Sequence, residues 1–279
     1  MDRQRIFDEL YGPLYAPLPD SGSYLKRIGL DTIKTADKDS LDRLVLAHQR
    51  SVPFENLDVY DARTDLSLSI PALYDKIVVR RRGGYCFELN ASFMALLQSL
   101  GYECYSVAVR VVANSTRFMP LTHRATIVTI GGVRHFCDVG FGGPSPQSAL
   151  LLDDRDEQPS GPNIFIFDEC EFGTVINKVG SGGKERLLMF SETPCDPVDF
   201  LALNEYQSKS ANSMFRTARV CNLLTETGAV TLSGNTLKIH SGTDTVEKTL
   251  KTESGLRAAL KEHFGIDVAF PLRTDQEPV

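Results

Sequence analysis

The chain has 279 residues, 42% hydrophobic and 24% charged, a globular composition with length enough for two or three lobes. A formal net charge of -6 and a pI near 5.5 argue against a nucleic-acid footprint, yet leave room for a local basic patch that holds a small anion. No stretch approaches the roughly eighteen consecutive apolar residues of a membrane span, and the N-terminus MDRQRIFDEL has no apolar run of signal-peptide type.

Residues 1 to 80 read as helix and loop. RIFDELYG forms a short helix that the prolines at 13, 17 and 19 break. DKDSLDRLVLAHQRSV places Leu41, Leu44, Val45 and His48 on one helical face, with an Asp or Ser as N-cap. His48 on that apolar stripe reads as a packed, structural histidine. VPFENLDV follows, and Glu55 in so apolar a setting needs a cation, for which the arginines at 80 to 82 are candidates. SIPALYDKIV reads as a helix with Ser69 as cap and Pro71 in its first turn.

The segment RRRGGYCFELNASFMALLQSLG is the centre of interest. Phe87, Asn90, Phe93, Met94, Leu97 and Leu100 recur at helical spacing, and Gly101 is a natural stop. Cys86 then opens the helix. Free first-turn amides, the helix dipole and the preceding arginines all favour its thiolate, and Gly83 and Gly84 let other groups come close to the sulfur. The plain alternative is a small apolar residue at the start of a buried helix. The other five cysteines (Cys104, Cys137, Cys170, Cys195 and Cys221) are scattered without a CxxC pair, the pattern of free thiols in a reducing, cytoplasmic compartment.

Beyond residue 101 the period changes to two. ECYSVAVRVV, THRATIVTI, VRHFCDVGF and NIFIFDEC read as strands of an antiparallel sheet or small barrel. Residues 153 to 162 and the GSGGKE segment at 180 to 185 read as polar surface loops. From Ser191 the pattern gives a helix over DPVDFLALNEYQ, strands over MFRTARVCNLL, AVTLS and TLKIH, and a closing helix over SGLRAALKEHFG.

A nucleophilic cysteine needs a base, and the base needs an orienting group. The chain offers five histidines, and hairpin geometry selects among them. Gly131-Gly132 is a two-residue turn that sets Ile130 opposite Val133. His123 and Asp138 then fall on one face as diagonal neighbours, within reach of a His-carboxylate bond, whereas His135 points to the other face. His135 and Cys137 share a strand face but have no further ligands at metal spacing, so no metal site is expected.

Four elements in order, Pro53 to Asn56, Arg82 to Cys86, His123, and Asp138 to Gly142, resemble the arylamine N-acetyltransferase family. The similarity is clear over residues 40 to 145. It implies an α+β fold of cysteine-protease-like, three-part architecture: an N-terminal helical bundle (1–101), a central antiparallel β-barrel (102–190) and a C-terminal α/β lid (191–279). It also implies a Cys86-His123-Asp138 triad, a structural ion pair between Glu55 and Arg82, and acceptor contacts from Phe54 and Phe141. Tyr206, Asn212, Ser213 and Met214 map onto the family stretch that touches coenzyme A, with Asn212 and Met214 departing from its small Ser-Thr pattern. In FMPLT, Met119 and Pro120 stand where the vertebrate form has a Thr-Gly pair, so the acyl group can differ from acetyl. The implied chemistry is ping-pong N-acylation of aromatic amines and hydrazines from acetyl-CoA or another acyl-CoA. No tightly bound cofactor, nucleic acid or membrane partner is expected, and the protein is expected to be a monomer or weak homo-oligomer.

A Cys-His-Asp set also serves cysteine hydrolases and transglutaminase-like acyltransferases. A silent, small-molecule-binding relative is the alternative from outside enzymology. GSGGKE lacks the strand and helix context of a phosphate-cradling loop.

Overall fold

The computed structural model describes residues 3–113, 115 and 119–274. The helical part begins with α1 (Arg3–Tyr11), α2 (Ser21–Arg27) and α3 (Lys38–Ser51). Asp20 and Asp37 cap α2 and α3 with their carboxylates, because first-turn amides have no partner within the helix. The two-residue strand β1 (Phe54–Glu55) precedes α4 (Ile70–Tyr74) and α5 (Cys86–Ser99). Ser69 starts α4 as expected, but its hydroxyl makes no capping bond, and Pro71, which lacks an N–H, occupies the first turn. Helix α5 is buried on nearly every side from Cys86 to Leu97, so its apolar residues anchor the main core with Leu41, Leu44, Val45, Tyr24 and Phe200.

Eight strands follow: β2 (Glu103–Val111), β3 (Leu121–Ile130), β4 (Val133–Cys137), β5 (Leu150–Leu151), β6 (Gln158–Ser160), β7 (Asn163–Cys170), β8 (Gly173–Gly180) and β9 (Gly183–Phe190). They form one antiparallel sheet in the order β5-β4-β3-β2-β9-β8-β7-β6. The two edges meet: the Gln158 side chain donates to the Leu151 carbonyl and accepts from the Leu151 amide. These side-chain bonds bring the two edge strands together, so the sheet curls into a nearly closed barrel. Alternate residues Val107, Val109, Ala125, Ile127, Phe165 and Phe167 fill the interior. On the opposite face of β3, Val128 packs into the helical core.

The last part contains α6 (Phe200–Lys209), α7 (Met214–Thr217), β10 (Val220–Leu224), β11 (Gly228–Ser233), β12 (Thr236–Ser241), β13 (Asp244–Thr249) and α8 (Glu253–Phe264). Its five-stranded sheet runs β1-β10-β11-β12-β13, so its first strand comes from the helical region. Four local expectations fail. MFRT is a helix rather than a strand, since the Ser213 hydroxyl caps Phe215. GSGGKE is a hairpin turn between β8 and β9 with Gly180 opposite Gly183, and Gly183 at φ 107 takes the left-handed backbone that the turn needs. Residues 158–160 form an edge strand inside the expected loop, and VRHFCDVGF leaves the sheet after Cys137.

Candidate active site

The loop before Cys86 is shaped by close approach. A Cβ on Gly83 would lie 1.9 Å from the Pro53 carbonyl oxygen, and one on Gly84 would lie 2.8 Å from the Glu88 Cβ. The glycines therefore admit β1 and the first turn of α5, not a group aimed at the sulfur. Glu88 caps α5 from inside, its carboxylate accepting from the Tyr85 amide at 3.0 Å.

Beneath this loop lies a buried charge network. Arg82 pairs with Glu55 at 2.7 Å and with Asp58 at 2.9 Å; Lys76 pairs with Asp58 and Glu88, each at 2.7 Å. Burial pushes the Asp58 carboxyl up, but Lys76 and Arg82 outweigh that and hold it down at about 2. Burial likewise raises Glu88, with Lys76 opposing. The expected Glu55–Arg82 pair is present; Lys76 and Asp58, which complete it, are not singled out by the sequence. The positive charge that the arginines are expected to lend Cys86 goes elsewhere: Arg82 into this network, Arg80 to Asp75 at the surface. Arg82→Met would leave Glu55 buried beside a lost cation. It should destabilise the protein by about 3–5 kcal/mol and lower Tm by roughly 10 °C. A calorimetric melt within about 2 °C of wild type would show that Lys76 compensates.

Cys86 is 3% exposed and its thiol donates to the Thr122 carbonyl at 3.5 Å. Helix geometry leaves the first-turn amides of Cys86 and Phe87 without partners four residues back, next to the sulfur. The Gly-Gly turn sets Ile130 opposite Val133 and Thr126 opposite Cys137, the register expected from the sequence. Carried one step past β4, that register brings Asp138 to His123: Nε2 and Oδ2 are 2.6 Å apart, both residues buried. With Nε2 engaged, Nδ1 is left for the thiol. Burial alone would lower the His123 pKa. The charge and hydrogen bond of Asp138, with a further contribution from Cys86, outweigh it and raise His123 to about 10. His48 is the contrast. It accepts from or donates to the Tyr24 hydroxyl at 3.0 Å, and burial, with Arg27 adding, holds it down at about 3, a neutral packed ring.

Asn90, read from sequence only as part of a helical stripe, fixes the carboxylate. Its Nδ2 donates to Asp138 Oδ1 at 2.9 Å and to the Arg124 carbonyl at 2.6 Å, and its Oδ1 accepts from the Val139 amide at 3.1 Å. Gly140 is required beside it, because a Cβ there would come within 2.8 Å of Asn90 Nδ2 and 3.0 Å of Cys86 Cα. A polar residue on an otherwise apolar helix face was the available signal.

Phe54 and Phe141 line one cleft of about 780 Å³ with Val139, Asn222 and His240. The Phe141 ring stands 5.9 Å from the His123 ring, so Phe141 separates this cleft from His123, and none of Cys86, His123 and Asp138 is part of its lining. The Tyr206–Met214 segment also lies close. Gln207 Nε2 donates at 3.3 Å to the Thr122 carbonyl that accepts from Cys86. Tyr206, Asn212 and Met214 are exposed, whereas Ser213 is buried, its hydroxyl donating to the Gln207 carbonyl. Met119 and Pro120 lie at the surface before His123, and the Met119 carbonyl accepts from Arg110 at 2.5 Å; Phe118 of the same stretch lies outside the described residues. Among the described residues, no group of His, Cys, Asp and Glu is placed to hold a metal, and no helix is long and apolar enough to cross a membrane.

These features can be set against known proteins. A family model described as N-acetyltransferase matches residues 37–273. The arylamine N-acetyltransferase of Mycobacterium tuberculosis is 33% identical over 255 residues, covering 90% of each chain. Its solved structure superposes with a TM-score of 0.84 at 33% identity, over 90% of this chain and 95% of that one. The Mycobacterium marinum arylamine N-acetyltransferase, solved in complex with CoA, gives a TM-score of 0.82 at 31% identity, over 88% of this chain and 93% of that one. With helices, barrel and second sheet shared across nearly the whole length, the chain belongs to the arylamine N-acetyltransferase family.

Proposed function

We infer that the chain is an acyl-CoA-dependent N-acyltransferase for arylamines and hydrazines, working through an acyl-cysteine at Cys86. The observation that carries this is the thiol at the start of α5 beside a His123 already bonded to a buried Asp138, in a fold whose relatives are named for this reaction. His123 Nδ1 takes the thiol proton, and Asp138 stabilises the resulting imidazolium. The thiolate attacks the thioester carbonyl carbon, with the first-turn amides at the developing oxyanion. The carbon–sulfur bond to coenzyme A breaks, and His123 returns the proton to the departing CoA sulfur. The amine nitrogen then attacks the Cys86 thioester, His123 takes a proton from that nitrogen, and the Cys86–acyl bond breaks, the departing sulfur recovering the proton from His123.

Phe54 and Phe141 supply the apolar wall an aromatic acceptor needs, and Tyr206, Asn212, Ser213 and Met214 form the segment assigned to coenzyme A. The exposure of three of the four supports that assignment; Ser213 acts by shaping the segment. The divisions at 101/102 and 190/191 separate the helical, barrel and lid units. The enzyme is a cytoplasmic monomer or weak homo-oligomer; the six scattered cysteines, without a CxxC pair, fit a reducing compartment.

Intact mass spectrometry tests the covalent half. Wild-type protein mixed separately with acetyl-, propionyl- and malonyl-CoA, without amine, should gain one acyl group, and an added arylamine should remove it as the N-acyl product. The donor giving the fastest adduct identifies the acyl group that Met119 and Pro120 admit. No adduct from folded protein would reject the reading, and discharge to water at the same rate with and without amine would identify a hydrolase.

A further inference from the structure

Among the described residues five arginine and lysine side chains are buried: Arg27, Lys76, Arg82, Arg124 and Arg219. A buried cation is costly unless paired or fully hydrogen-bonded, and four of the five meet that need. Lys76 and Arg82 share the network of Glu55, Asp58 and Glu88. Arg219 grips Asp61 with two bonds of 2.5 and 2.9 Å. Arg27 donates to the backbone carbonyls of Ser51, Ile77, Arg81 and Arg82.

Arg124 is different. It is 2% exposed, and its guanidinium lies 4.4 Å from the Phe200 ring centroid. Its Nε donates to the Ser106 hydroxyl at 2.9 Å, and Nη2 has only the Met94 sulfur at 3.9 Å. Among the described residues no carboxylate or carbonyl oxygen accepts from it. Cys104, in the same lining, supplies no anion, because burial pushes its thiol up to about 12. Arg124 instead lines a separate cavity of about 470 Å³, walled by Leu68, Ile70, Ala91 and Ala95. Asp196, the acidic residue of that lining, is exposed and takes hydrogen bonds from Tyr15 and from the Val198 amide. Because β3 alternates, Arg124 faces away from His123, so this cavity lies behind the catalytic helix and apart from the Phe54–Phe141 cleft.

We propose that this rear cavity is a binding site for a small organic carboxylate, the carboxylate pairing with Arg124 and an aliphatic body filling the space between α4 and α5. A planar guanidinium with both terminal nitrogens lacking oxygen acceptors fits a carboxylate in two-point contact. The apolar walls favour an organic anion over a bare inorganic one, and the volume falls within the range of about 300–1,000 Å³ typical of small-molecule pockets. The site does not rest on the acyl-transfer chemistry, since none of its lining residues takes part in it.

The test is isothermal titration calorimetry of the full chain with cyclohexanecarboxylate, which carries neither an amine nor an aromatic ring, and with the neutral cyclohexanecarboxamide. The carboxylate should bind saturably and the amide at least about tenfold more weakly. Arg124→Gln should weaken carboxylate binding by a similar factor. Ala95→Leu, which puts an isobutyl group into the cavity and leaves Arg124 in place, should do the same while retaining acyl transfer; it also covers the case in which Arg124→Gln fails to fold. Absence of saturable binding at tens of millimolar, equal binding of the amide, displacement by chloride at equal affinity, or undiminished binding in Ala95→Leu would each overturn the proposal.

Discussion

Cys86→Ala should abolish acyl transfer, with a loss of at least about 10^4-fold in kcat/KM, because without the sulfur no acyl-enzyme can form. The mass adduct seen with acyl-CoA in wild type should vanish altogether. Stability should change little. The side chain is small and apolar, and its one hydrogen bond is a weak donation from sulfur to the Thr122 carbonyl. Alanine also keeps the helix start intact, since the cap comes from Glu88 to the Tyr85 amide. A Tm within about 3 °C of wild type is therefore expected. That pairing of outcomes is informative. A dead but folded variant places the loss in chemistry, whereas an acyl adduct persisting in Cys86→Ala would move the nucleophile to another thiol, with the partly exposed Cys195 and exposed Cys170 the first to examine. Residual turnover without adduct would mean direct transfer between bound CoA thioester and amine, and would end the ping-pong scheme.

What the sequence discloses about this site follows from the range of each interaction. The His123–Asp138 geometry is legible because a two-residue Gly-Gly turn fixes strand register over the few residues involved, and the observed pairing follows it. The helix after Cys86 is legible from its period. The roles of Gly83, Asn90, Lys76 and Asp58 are not, because each depends on a contact across sequence: Gly83 with Pro53, Asn90 with Asp138, Lys76 with Glu88 and Asp58. The Glu55–Arg82 pair is legible because a buried carboxylate needs a cation, but the same arginines do not also serve Cys86: the carboxylates of Glu55 and Asp58 offer Arg82 a stronger pull in a low-dielectric interior. The β8–β9 hairpin was hidden for another reason: its turn is rich in glycine and polar residues, and its strands carry Lys178, Lys184, Glu185 and Arg186 on the outer surface, which masks the alternation.

Asp138→Asn should reduce kcat by about 10^3–10^4-fold with a smaller effect on KM, as expected when a histidine loses the group that fixes its tautomer. The wiring makes the amide wrong in either orientation. Asp138 accepts from three donors: His123 Nε2, Asn90 Nδ2 and the Gly140 amide. If the new NH2 faces His123, Nε2 must accept, the proton moves to Nδ1, and the ring can no longer take the thiol proton. If it turns the other way, it meets two N–H groups. Stability carries a pH signature as well. The folded His123 pKa is raised to about 10, against about 6.5 in the unfolded chain. The stability that Asp138 supplies through the imidazolium is therefore fully present below about pH 6.5, and is lost as pH rises through about 10. The wild-type advantage over Asp138→Asn in urea unfolding should be largest near pH 6 and should shrink towards pH 10, leaving only the lost neutral hydrogen bonds. An advantage constant across that range would mean that His123 is neutral in the folded protein and that Asp138 acts only through its hydrogen bonds.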